Sequence, residues 1–220
     1  EDFWRPLAIQ PLPTNNDILI LLAPAFPILT VYDLINENIV HQTSFNIPVE
    51  TLEAPIAFNI IFSPDNTTFA VGVMNNVYVI STENWEVVET IQTPNYVQCF
   101  DFTNDGSKIV IISSNSFEDI SQLTIYSITD KEYIKNITDI PVDTHTITRI
   151  PNTDCFLIPD DKENRPTITY YNVSTDEWNE YHELGRCKEI VISSDQQYFI
   201  TNWFDPADSE FYLKLGPIVV

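Results

Sequence analysis

Self-similarity at a near-constant spacing constrains this chain more than any other feature of its sequence. Five segments place tyrosine after an apolar or aromatic residue: Val31-Tyr32, Val77-Tyr78, Ile125-Tyr126, Tyr170-Tyr171 and Phe211-Tyr212. They begin at positions 31, 77, 125, 170 and 211, so the steps are 46, 48, 45 and 41 residues. The flanks repeat as well, and Val31 to Asn38 lies without a gap on Val77 to Asn84. Each of the first four segments is followed by a polar turn and a further short apolar stretch: Ile39-Val40, Trp85 to Val88, Tyr133-Ile134 and Trp178 to Tyr181.

A second register runs upstream of these segments. Phe58 to Phe62 leads through Ser63-Pro64-Asp65-Asn66 into Thr68 to Val73, and Cys99 to Phe102 leads through Thr103-Asn104-Asp105-Gly106-Ser107 into Lys108 to Ile112. Glu189 to Ile192 leads through Ser193-Ser194-Asp195-Gln196 into Tyr198 to Ile200, and a weaker copy surrounds Pro151-Asn152-Thr153-Asp154. Each reads as strand, polar turn, strand, with Asp or Asn capping its own turn backbone. Fifteen prolines and a predominance of Val, Ile, Thr, Tyr and Phe in the apolar runs favour strands over helices. Four short strands in about 45 residues are the signature of a propeller blade. The predicted fold is therefore all-β, a β-propeller of four-stranded antiparallel blades. Residues 1–220 read as one propeller domain or a fragment of one, with blades near 6–45, 54–92, 96–138, 144–183 and 187–216.

These units resemble the repeats of the WD-repeat β-propeller family, whose first hairpin often reads F-S-P-D-G and whose third strand ends in Trp-Asp. Phe62-Ser63-Pro64-Asp65 and Phe102-Thr103-Asn104-Asp105-Gly106 match the hairpin, and Tyr32-Asp33 stands in the place of Trp-Asp. Tyr78-Val79, Tyr126-Ser127 and Tyr171-Asn172 depart from that pair, and no Gly-His precedes a blade. Val77 to Ile91 is also similar to the repeat of surface-exposed Y-V-T-N propellers. The resemblance spans nearly the whole chain at the level of fold and carries no catalytic residues with it. In that family an N-terminal strand often completes the last blade, which makes Asp2-Phe3-Trp4-Arg5 a candidate for closing a five-bladed ring. The alternative is a larger propeller of six or seven blades, and both readings stay open. The recurring tyrosines read as structural, packing between neighbouring sheets with each hydroxyl reaching a polar partner at the edge.

Composition narrows the partners. Ten Lys and Arg against 32 Asp and Glu give a formal charge of −22, which excludes nucleic acid, because phosphate binding needs clustered cations. The most apolar stretch, Ile18 to Tyr32, is interrupted by Pro24 and Pro27 and is too short for a membrane helix, so no membrane insertion is expected. Cys99, Cys155 and Cys187 form no C-x-x-C pair, and Cys99 and Cys155 read as buried free thiols. Sequons begin at Asn66, Asn136 and Asn172, the number chance supplies in a chain this rich in Asn, Ser and Thr. Of the three, Asn66, in a hairpin turn, is the one placed to carry a glycan. Scarce Lys and abundant Thr, Asn and aromatics lean towards the cell surface, while unpaired cysteines lean towards a reducing compartment.

Chemistry-bearing motifs are sparse. His41, His145 and His182 are isolated, no H-x-H, H-E-x-x-H or G-x-S-x-G occurs, and Asn104-Asp105-Gly106 lacks the remaining ligands of a calcium loop. Ser63-Pro64-Asp65 and Ser193-Ser194-Asp195 match only half of a sialidase-type Asp box and read as turn caps. No metal, no cofactor and no catalytic residues are expected. The loops joining second and third strands carry Phe26, then Glu118 and Asp119, then Asp160 and Asp161, then Trp203, Asp205 and Asp208. Together they suggest an acidic arc with aromatic anchors, suited to a basic protein partner. The expected function is a non-catalytic interaction or structural scaffold. The alternatives are an enzyme or carbohydrate-binding propeller with its site at the central channel, and a repeating subunit of an extracellular glycoprotein assembly.

Overall fold

The computed structural model describes residues 5–13, 17–23, 28–44, 59–115, 120–140, 146–159, 168–181, 187–193, 195–205 and 210–218. Its strands fall into five antiparallel meanders. Blade 1 is β1 (Arg5–Pro11), β2 (Asp17–Ala23), β3 (Ile28–Asp33) and β4 (Asn38–Ser44), paired in that order. Blade 2 is β5 (Ile60–Phe62), β6 (Thr68–Val73), β7 (Asn76–Ser81) and β8 (Val87–Gln92). Blade 3 is β9 (Tyr96–Phe102), β10 (Lys108–Asn115), β11 (Ile120–Ser127) and β12 (Glu132–Ile140). Blade 4 is β13 (Thr148–Arg149), β14 (Cys155–Pro159), β15 (Ile168–Asn172) and β16 (Glu177–Tyr181). Blade 5 has three strands, β17 (Cys187–Ile192), β18 (Tyr198–Asp205) and β19 (Glu210–Pro217). No helix occurs among the described residues.

The chain divides into two compact units, Glu1–Tyr96 and Val97–Val220. In the first, Leu29 and Val31 of blade 1 pack with Ile60, Phe69, Val71 and Ile80 of blade 2. In the second, one cluster joins Cys99, Val110, Ile112, Leu123 and Ile125 of blade 3 to Phe156, Ile158 and Tyr171 of blade 4. Another joins Cys155, Leu157, Ile168 and Tyr170 of blade 4 to Ile190 and Phe199 of blade 5. Strand alternation explains this arrangement: Phe156 and Ile158 point to one neighbour while Cys155 and Leu157 point to the other. Sheets buried on both faces read as near-continuous apolar runs, which is why hydrophobic alternation is weak in β10 and β14.

Backbone geometry corrects the register of the repeat. Glu37, Trp85, Lys131 and Asp176 all adopt left-handed φ values of 53°, 62°, 56° and 61°. Each lies four residues after a strand-ending Asp33, Ser81, Ser127 or Asn172. Tyr32, Ile80, Tyr126 and Tyr171 are therefore equivalent, and Tyr78 sits two residues early. The ungapped match of Val31 to Asn38 on Val77 to Asn84 is displaced by two. A slip of two keeps the same face of a strand, so it escapes detection by hydrophobic pattern. In blade 5 the equivalent of Tyr171 is Gly216, opposite Phe199, as Tyr171 is opposite Phe156. A Cβ on Gly216 would run into the Phe199 ring, which fills the space that a side chain at this point would need.

The tyrosine belt thus holds at Tyr32, Tyr126 and Tyr171, not at five positions. Tyr171 behaves as expected. It is fully buried, packs on Trp178 at 4.3 Å between ring centroids, and donates its hydroxyl to Asp176 Oδ1 at 3.1 Å. Arg5 pairs with Ala23 inside blade 1, so the proposed closing strand of the last blade is not formed by Arg5. Residues 2–4 lie outside the described residues.

Candidate functional site

Most of the predicted acidic arc falls beyond what the structure describes. Phe26, Glu118, Asp119, Asp160, Asp161 and Asp208 lie outside the described residues, as do His145 and His182. Trp203 and Asp205 are not in a loop. Both belong to β18, where Trp203 pairs with Cys187 and Tyr212, and Asp205 pairs with Glu210. The β18–β19 connection is shortened to residues 206–209, because the ladder propagates to the last pair that keeps its register.

The first-hairpin turns are built to one plan. In blade 2 the Ser63 hydroxyl donates to Asp65 Oδ1 at 2.6 Å and accepts the Thr68 N–H at 3.1 Å. Asp65 Oδ1 also accepts the Thr67 N–H at 3.0 Å. Thr103 with Asp105 and Ser193 with Asp195 repeat this geometry within a few tenths of an ångström. The position after each Asp takes a left-handed φ: Asn66 at 59°, Gly106 at 70° and Gln196 at 59°. Hydrogen bonds from Ser63 and Ser193 hold the Asp65 and Asp195 carboxyls below the ordinary carboxylate range. Burial pushes Asp105 up, but donors from Ser107 and Thr103 more than offset it and leave it lowered. These carboxylates are committed to their own turns, and the Asp-box half-matches are turn caps. Asn66, a sequon residue, sits partly buried at the left-handed corner.

A charged pair sits on the first strands of blades 3 and 4. Asp101 of β9 accepts the Phe102 N–H at 2.7 Å and the Arg149 N–H of β13 at 3.1 Å. Arg149 Nη1 donates to the Thr103 carbonyl at 3.2 Å, and its buried Nε has no partner among the described residues. Burial raises Asp101 to about 6, against the opposing pull of Arg149. Neighbouring links continue the seam: Asn152 N–H donates to Asn104 Oδ1 at 3.0 Å, and Thr148 Oγ1 to the Ile190 carbonyl at 3.2 Å. Sequence reasoning passed over this pair. Its signal was a charge inside an apolar strand, Asp101 between Phe100 and Phe102, and Arg149 beside Ile150.

The outer edge of the first unit is the other distinctive surface. Leu34, Ile35, Ile39 and Val40 are 52%, 70%, 54% and 51% exposed within seven consecutive residues. In the same unit Val87 and Val88 of β8 are exposed too, and His41 of β4 stacks on Trp85 with ring centroids 6.0 Å apart. Val40 is the extra residue of a bulge between Val31 and Tyr32 of β3, and β7–β8 and β11–β12 carry bulges at the matching place. Within residues 1–96, Arg5 is the single cation against eleven Asp and Glu. Among the described residues, no cluster of His, Cys, Asp and Glu is arranged to hold a metal ion, and no helix is long and apolar enough to cross a membrane. Cys99 and Cys155 are buried free thiols, as expected, and burial raises the Cys99 thiol.

Comparison with solved structures defines the class. The chain superimposes on a propeller in the "Crystal Structure of Mitotic Checkpoint Complex" with a TM-score of 0.75 and 10% identity, covering 100% of this chain and 65% of that one. It matches "Kuenenia stuttgartiensis Hydrazine Synthase" at 0.74 and 12%, covering 99% and 64%. It matches "Structure of U3-55K" at 0.70 and 9%, covering 97% and 64%. The fold is that of a WD-repeat-type β-propeller, and the chain spans about two-thirds of the length of these structures. No family model and no curated protein sequence matches the chain.

Proposed function

We propose that this chain is a non-catalytic propeller module that binds a basic protein partner. The observation that carries the reading is the first unit's combination of exposed apolar outer strands with a single cation in 96 residues. A surplus of carboxylates raises the encounter rate of a cationic partner, and exposed apolar residues hold it once docked. The structural neighbour from a mitotic checkpoint complex supports protein partnership in general. The committed turn carboxylates favour this reading over a hydrolytic propeller, since they are already saturated by their own turns. Native mass spectrometry of the protein recovered from its source tests it. The expected species is a stoichiometric complex with a basic protein that dissociates as salt is raised. Recovery of the free chain, or of the chain carrying only a sugar, overturns the proposal.

A further inference from the structure

We infer that the chain associates head to tail with a second copy of itself, the Ile200 face of blade 5 on one copy taking the Ile9 face of blade 1 on the other. The inference goes beyond the basic-partner reading and does not depend on it. Every first hairpin closes on the same hydrogen bond, from the N–H of Leu12, Ser63, Thr103, Ile150 or Ser193 to the carbonyl five residues on. Three residues before these anchors stand Ile9, Ile60, Phe100, Ile147 and Ile190, which are therefore equivalent. Ile60, Ile147 and Ile190 each belong to the apolar cluster shared with the preceding blade. All but Ile9 are buried, whereas Ile9 of β1 is 56% exposed.

The opposite face shows the converse at the other end of the repeat. Seven residues after the anchors, on the second strands of blades 2 to 5, stand Ala70, Val110, Leu157 and Ile200. Val110 and Leu157 lie in the clusters shared with the following blade, and Ala70, Val110 and Leu157 are buried. Ile200 of β18 is 44% exposed, and Val191, its cross-strand partner on β17, is 63% exposed. Tyr198, two residues before Ile200 and so on the same face, is exposed as well. Blade 5 thus presents the surface that, on blades 3 and 4, the next blade covers. The occupant follows from that continuity. Leu157 and Ile190 share the cluster between blades 4 and 5, and Ile200 with Ile9 of a second copy recreates the same pair of positions. The two faces are unlike, so the contact is heterologous, and each copy carries both halves of it. Charge opposes the contact, since each copy is formally −22. Added salt screens that repulsion and should strengthen the association, the reverse of its effect on a complex with a basic partner.

Sedimentation velocity of the full chain, up to about 100 μM and at low and high salt, reads the association. The weight-average mass is expected to rise with concentration and to rise further with salt. Ile200→Asp and Ile9→Asp should each weaken the association about tenfold or more. An equimolar mixture of the two variants should form a dimer and stop there, because each supplies the face that the other lacks. Ile134→Asp, at an exposed position of β12, adds the same charge elsewhere and should leave the association as it was. Far-UV circular dichroism checks that the variants are folded, and Ile200→Thr with Ile9→Thr, which keep strand propensity, serve where aspartate unfolds the chain. A native chain that stays monomeric at about 100 μM in high salt overturns the inference. So does an equal loss in Ile134→Asp, or a mixture of the folded face variants that does not dimerise. A monomer that still binds a basic protein sinks this inference alone, whereas a self-associating chain without a basic partner sinks only the interaction reading.

Discussion

The two compact units stack their blades by the same apolar logic but tie them together differently. In the second unit, polar links cross from blade to blade. Lys135 of blade 3 pairs with Asp176 of blade 4, which also accepts the Tyr171 hydroxyl, and Arg149 of blade 4 reaches the Thr103 carbonyl of blade 3. In the first unit, blades 1 and 2 share an apolar cluster and the His41–Trp85 stack. The charge inventory accounts for the contrast. Nine of the chain's ten cations follow Tyr96, so cations within the first unit are scarce. The lesson is that propeller stacking needs only side chains of the right size, whereas cross-blade ion pairs are an addition that leaves fewer charges free.

The strongest way to break this comparison is to open the same packing site in each unit. Phe69→Ala in blade 2 and Phe156→Ala in blade 4 occupy equivalent, fully buried positions. Each should cost about 3–5 kcal/mol in urea unfolding. A loss in only one unit would show that the stacking is not shared.

Next comes pH. Because the folded chain holds the Asp101 proton more tightly than the unfolded chain, this group favours folding below about pH 4, and that contribution is lost as pH rises towards 6. Asp101→Asn keeps an acceptor for the Arg149 N–H without the charge. Across that window the variant should therefore gain of order 2–3 kcal/mol relative to the native chain. Parallel stability curves would remove the pair from the account of the second unit.

Gly216→Ala should destabilise by about 1–3 kcal/mol, because Phe199 already fills the space, and Phe199→Leu should recover part of the loss. Ser63→Ala and Thr103→Ala remove the same buried turn hydroxyl, one in each unit, and should cost about 1 kcal/mol each in thermal unfolding. Unequal losses would mean that the turn plan serves the units differently. The smallest change is expected for Lys135→Met, whose effect should fade as salt rises, since the pair it breaks is partly solvated.

The blades were legible because each one repeats its own local instructions. Ser63-x-Asp65, Thr103-x-Asp105 and Ser193-x-Asp195 name their turns in three residues, and the turns form as named. The tyrosine register was legible only modulo two, as the slip at Tyr78 shows, because alternation reports face and not position. The loop placed at Trp203 was wrong for a related reason: where a ladder stops depends on cross-strand partners, here Cys187 and Tyr212, that no local window contains. The Asp101–Arg149 pair escaped because its members are 48 residues apart.

By itself, then, the sequence determined the strands, their turn chemistry, the uneven distribution of cations and the apolar faces, all of which are properties of short windows or of composition. Tertiary structure decided which buried carboxyl met which guanidinium, and where Phe199 would take the space beside a glycine. Those outcomes depend on distances between residues far apart in the chain, and such distances exist only once the sheets have stacked.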